Sequence, residues 1–132
     1  MEGTAMSSFS DYLEDAVLNY VFRNTGTPTS ASVYLALFTT TPSDTGGGVE
    51  VSGSGYARQA TAFDAPSGGA ITNTAAESFT ASGGSFGTVV AIGIFDALTG
   101  GNMIAWGGIT SATIGDGDTL TFPIGDIDIS LT

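Results

Sequence analysis

Thirteen carboxylates and two guanidinium groups, on Arg23 and Arg58, carry nearly all the charge chemistry of this chain, which has no lysine, histidine or cysteine. Without imidazole, thiol or primary side-chain amine, most general bases and nucleophiles are missing. Ser-His-Asp and Cys-His arrangements cannot be built. Glycoside hydrolysis by two carboxylates needs none of these groups and stays open. Asp96 is its best carrier, with Trp106 as a platform for a sugar ring. The competing reading is a hairpin aspartate that accepts backbone N–H bonds and a tryptophan in the core. No catalytic residue is assigned, and the expectation is a protein that is not an enzyme.

Calcium is the cation such a chain could hold. Asp116-Gly117-Asp118, with Asp126 and Asp128 downstream, supplies the oxygen ligands a hard cation prefers. Asp116 and Asp118 are weak candidates, because the Gly-Asp-Gly-Asp unit occurs once and such repeats work by stacking. The alternative is a turn followed by a strand whose charges discourage wrong pairing. No cofactor is expected. Gly53-Ser54-Gly55 lacks the Gly-Lys-Ser/Thr ending of a phosphate loop.

Arg58 stands out as one of two cations among thirteen acids. Its planar fork suits a bidentate pair with a carboxylate, either within the chain or on a neighbouring subunit. Arg58, Tyr56 and Trp106 are therefore the candidate interface residues.

These residues need a scaffold, and the chain is long enough to supply one. Its 132 residues suit one domain with a real core. Its content is 42% hydrophobic and 11% charged, which excludes a disordered chain. Leu13, Ala16, Val17, Tyr20 and Val21 form one apolar stripe and predict a helix over about residues 10–24, capped by Ser8 or Ser10 and stopped by Gly26 and Pro28. Beyond it the period falls to two. Strands are expected at residues 33–38, 56–63, 70–73, 77–80, 88–95, 103–106, 119–124 and 126–131. The 88–95 run, apolar on both faces, is expected to be central. The last strand should turn Ile127, Ile129 and Leu131 inward and Asp126 and Asp128 to solvent. Residues 39–48, with Gly46-Gly47-Gly48, read as a mobile loop. The expected fold is mainly β, an antiparallel β-sandwich or barrel over about residues 32–131, with one N-terminal α-helix packed on its surface.

A net charge of −11 excludes phosphate neutralisation, and with it nucleic acid, and disfavours anionic membranes. Such charge keeps subunits apart until a specific contact overcomes it, and a saline environment would explain it equally well. No apolar run approaches the roughly 18 residues of a membrane span. Met1-Glu2-Gly3 lacks a signal-peptide pattern, so synthesis in a cytoplasm is expected.

The block from Glu50 to Gln59, with Val33 to Pro42 before it, resembles a family of small tailed-bacteriophage virion proteins: tail-fibre, minor tail and head-associated structural proteins. The resemblance continues through Gly87-Thr88-Val89, Gly93 to Ala97, Thr99 to Asn102 and Gly115 to Phe122. Phe86 stands where the family commonly has tryptophan. The resemblance implies a non-enzymatic virion protein made in the host cytoplasm, forming a homo-oligomer and binding other virion proteins of the capsid or tail. A capsid-decorating or cement protein is the leading expectation, since no repetitive shaft is visible. A tail-fibre or tail-tip subunit touching the host surface is the alternative, and a carbohydrate- or calcium-binding module stands behind it.

Overall fold

The computed structural model describes residues 4–5, 8–26 and 32–131. In chain order these form β1 (Thr4–Ala5), β2 (Ser8–Phe9), α1 (Asp11–Arg23), β3 (Val33–Thr40), β4 (Val49–Glu50), β5 (Gln59–Thr61), β6 (Ala70–Thr72), β7 (Glu77–Thr80), β8 (Gly87–Phe95), β9 (Met103–Ile114), β10 (Thr119–Phe122) and β11 (Ile127–Ser130). The protein is mainly β with one N-terminal helix, as its periodicities predict.

The largest sheet runs β2-β9-β8-β3-β4, with β5 also paired to β3. Its pairings are antiparallel. β8 lies at its centre, where the sequence put it. A three-stranded sheet, β1-β11-β6, and the pair β10-β7 complete the sandwich. Among the described strands only β1 joins its neighbour in parallel. The main core gathers Leu35, Leu37, Val89, Ile92 and Ile94 of the large sheet with Phe79, Leu120, Phe122 and Ile127 of the smaller ones.

A second apolar layer covers the other face of the large sheet. Ala36, Phe38, Ala91 and Met103 are buried there, with Val90, Phe95 and Trp106 packed around them. A bulge in β9 makes this layer. Ile94 pairs with Ala105 but Phe95 pairs with Met103, so Ile104 is an extra residue. Ile104 and Ala105 both turn into the main core, while Met103 and Trp106 both turn to the outer face. Strict alternation would have put Met103 and Ala105 together. Gly93 lies under the outer layer because a Cβ there would come within 2.9 Å of the Phe38 ring.

Three expectations are corrected. The 56–63 strand shrinks to Gln59–Thr61, because residues 53–56 form a turn closed by the Tyr56 N–H on the Gly53 carbonyl. β9 extends to Ile114 instead of stopping at Trp106. The final strand does not present an acidic face to solvent. β11 sits between β1 and β6, Asp126 is buried, and Asp128 Oδ1 is buried with no hydrogen-bond partner among the described residues.

The helix forms as predicted but is not covered as predicted. Ser10 caps it, accepting from the Leu13 N–H at 3.3 Å. Asn24, in the left-handed region, ends it before Gly26, and Pro28 lies outside the described residues. No residue of α1 is buried. Leu13 alone is packed against the main core, and Val21 and Phe22 are 62% and 76% exposed.

Candidate functional site

The turn over residues 53–56 folds the chain back so that Glu50, Tyr56 and Arg58 meet. Arg58 Nε and Nη2 donate to the two oxygens of Glu50 at 2.9 and 2.8 Å. Its Nη1 donates to the carbonyls of Ala97 and Gly100, each at 2.8 Å. The guanidinium carbon lies 3.7 Å from the centre of the Phe95 ring, a cation–π contact. Arg58 therefore ties the 51–58 segment to the β8–β9 hairpin and roofs the outer apolar layer. It is 8% exposed.

Tyr56 completes the cluster. Its hydroxyl donates to Glu50 at 2.6 Å and accepts from the Leu37 N–H at 3.1 Å. Its ring stacks on Phe79 and meets Phe86 edge-on. Burial raises the Glu50 pKa, but hydrogen bonds from Arg58 and Tyr56 and the arginine charge outweigh it, and the net shift is downward. Burial, then the Glu50 carboxylate, pushes the Tyr56 phenol up. Bonding to Glu50 raises Arg58 further. The group is a fixed ion pair with a neutral phenol at physiological pH.

The choice left open for Arg58, a carboxylate within the chain or on a neighbour, is filled within the chain. Four of its five N–H groups are used there. Arg58 and Tyr56 are thus brought together on Glu50, as struts within the chain. Glu50 was missed as their partner, although it lies in the same motif, because a turn and not a periodicity brings it close.

Trp106 sits apart from them. Its indole N–H donates to Asp44 Oδ1 at 2.9 Å, and the Asp11 N–H donates to the Asp44 carbonyl at 2.9 Å. Ser43 and Gly46 bond each other in both directions. The segment expected to be a mobile loop is therefore pinned across the outer face at Ser43, Asp44 and Gly46. Gly48 permits this, since a Cβ there would lie 2.6 Å from the Thr40 carbonyl oxygen. A cleft of about 610 Å³ remains between this loop, Tyr12, Arg58 and Asn102.

The glycosidase pairing does not assemble. Asp96 accepts from the Asn102 backbone N–H at 2.7 Å and its side-chain amide at 3.0 Å, closing the β8–β9 hairpin, while Trp106 holds Asp44. The calcium candidates are engaged elsewhere, Asp116 in joining two loops and Asp118 in closing a turn. Asp116 accepts from the Gly83 N–H and Asp118 from the Gly115 N–H, each at 2.9 Å. Among the described residues no three acidic, histidine or cysteine side chains converge to hold a metal.

The geometry gives a framed outer surface, held by the Glu50–Arg58 pair on one side and the Asp44–Trp106 bond on the other. The podophage GP4 fiber I protein gp80 family matches residues 8–130, from β2 through α1 to the last strand. The chain belongs to that family. It is a phage virion structural protein of fibre type. The family match spans the Glu50–Arg58 cluster, the 41–48 loop and the whole of β9. No curated protein matches the chain.

One feature of the family member's fold was legible only in part. Leu18 and Phe22 lie off the stripe that predicted the helix, and with Val17 and Val21 they make its second half apolar nearly all round. A helix of that kind is a buried one. Here it is exposed.

Proposed function

We propose that the chain is a non-enzymatic subunit of a fibre on the outside of a phage particle, associating with further copies of itself and with other virion proteins. The observation that carries this reading is the family match over residues 8–130. It favours the fibre over the capsid-decorating role that the sequence put first, because the matched family is named for a fibre. The absence of repetitive shaft sequence, which had pointed to the capsid, is also met by a short fibre built of compact domains. The lack of catalysis is supported by how the carboxylates are used: Asp96 and Asp118 hold turns, Asp116 joins two loops, and Glu50 is clamped by Arg58. A charge of −11 favours protein partners over nucleic acid.

Gold-labelled antibody against the chain, viewed on intact particles by cryo-electron microscopy, tests the placement. Label on appendages is expected. Label in a regular array over the capsid would restore the decorating role. Hydrolysis of glycans above background, abolished by substituting one carboxylate, would overturn the non-enzymatic reading.

A further inference from the structure

Among the described residues the start of α1 is held most firmly: the Ser10 N–H and hydroxyl both donate to the Ile104 carbonyl, at 2.9 and 3.0 Å, the Asp11 N–H donates to the Asp44 carbonyl at 2.9 Å, and Leu13 packs on the main core. The outward side of the helix has two parts. Asp11, Glu14 and Asp15 occupy the first half and are exposed. Val17, Leu18, Val21 and Phe22 occupy the second half and are 41%, 54%, 62% and 76% exposed. At 3.6 residues per turn, Asp11, Glu14, Leu18, Val21 and Phe22 fall on one strip along the helix. The acids suit the positive end of the helix dipole. Whatever covers the apolar half must nonetheless meet them.

Three occupants can be compared by charge. A second copy laid parallel would set six carboxylates side by side. Laid antiparallel, it would meet these acids with a chain whose only other cation, Arg58, is spent internally. Arg23 points to Asn19, 2.6 Å away and off the strip. An anionic lipid surface is repelled by the same acids and by the net charge. A protein groove with an apolar floor and lysine or arginine at one end satisfies both halves.

We propose that the outward strip of α1 is the surface by which this chain docks on a second, different virion protein, in a groove that pairs an apolar floor with basic side chains. This rests on the reading of the chain as a virion component, and it names the surface and the chemistry of the partner. The apolar half supplies hold by burial, and the acidic half supplies orientation and a dependence on salt.

The test uses phage particles assembled without this chain, to which purified full-length chain is added back. Wild type is compared with Leu18→Asp/Phe22→Asp and with Asp11→Asn/Glu14→Gln/Asp15→Asn. Since none of these side chains is buried, circular dichroism should show all three folded alike. The apolar variant should attach at least about tenfold more weakly, and the neutralised variant should attach more weakly and lose the salt dependence seen for wild type. Attachment unchanged in both variants would overturn the docking surface while leaving the virion reading intact. Self-association of wild type that Leu18→Asp/Phe22→Asp abolishes, seen by sedimentation, would overturn it in favour of a second copy. Failure of wild type to attach would overturn the inference together with the virion reading.

Discussion

Trp106 on β9 and Asp44 in the β3–β4 loop, 62 residues apart, share a 2.9 Å hydrogen bond that closes the loop over the outer face of the large sheet. The bond depends on the bulge at Ile104, which turns Trp106 outward. It closes one edge of the second apolar layer, beside the cleft that Phe38, Phe95 and Met103 line.

Asp44→Ala should therefore open that edge. Trp106 is the only tryptophan, so its fluorescence reports this contact alone. Its emission should shift to the red and be quenched more readily by acrylamide. The stability cost should be about 1.5–3 kcal/mol, that of a hydrogen bond to a charged acceptor. Unchanged emission would mean that the loop is held elsewhere.

Arg58→Ala should be the most damaging charge substitution in the chain. It strands the half-buried Glu50 carboxylate and uncaps the carbonyls of Ala97 and Gly100. Breaking such a pair costs about 3–5 kcal/mol. Arg58→Lys should recover only part of this, since an ammonium cannot reproduce the fork or the stacking on Phe95. Urea unfolding of both variants measures it, and full rescue by lysine would show the charge alone to matter.

Two glutamates should give opposite pH signatures. The Glu50 carboxyl is lowered on folding, so its contribution is present above the unfolded value of about 4.3 and is lost as pH falls through the lower folded value. Glu77 is raised, by burial that its bond with Thr61 only partly offsets. It stabilises most below its unfolded value and loses that stability as pH rises through the folded one. Glu77→Gln should then raise the melting temperature at pH 7 and leave it unchanged near pH 3. A destabilised Glu77→Gln at pH 7 would show the ionised carboxylate to be needed.

Ile92→Ala and Ile94→Ala empty side-chain volume from the middle of β8, where both residues are fully or almost fully buried. Each should cost about 2–5 kcal/mol by chemical denaturation. Leu98→Ala, exposed at the tip of the adjoining hairpin, is the control and should change little.

How much of this was legible depends on what each residue's signal is. β8 announces itself because a short apolar run rich in β-branched residues and preceded by Gly87 reads as a strand covered on both faces, and α1 because its stripe repeats at the helical period. The bulge at Ile104 leaves no such trace, since Met103, Ile104 and Ala105 are all apolar and any register looks acceptable. Gly107, Gly108 and Ser111 hid the second half of β9, because glycine and serine are turn residues and masked the strand preference of Thr110 and Thr113. Arg58 could be singled out by its rarity, but its partner could not, because eight residues and a glycine turn separate it from Glu50. The helix stripe reports that α1 is amphipathic and says nothing of whether a neighbour lies against it.

The anchoring of α1 also fixes a load path. At its N-terminal end, a pull on the helix enters the body at Ser10 and Asp11, through hydrogen bonds to the Ile104 and Asp44 carbonyls and the two-residue pairing of β2 with β9. β9 shares its whole length with β8, the most buried strand, so tension spreads at once over a long ladder. With two paired positions against the long β8–β9 ladder, β2 is the weaker link on that side, so under force it would part from β9 before the sheet itself opened, a fuse built into the N-terminal attachment.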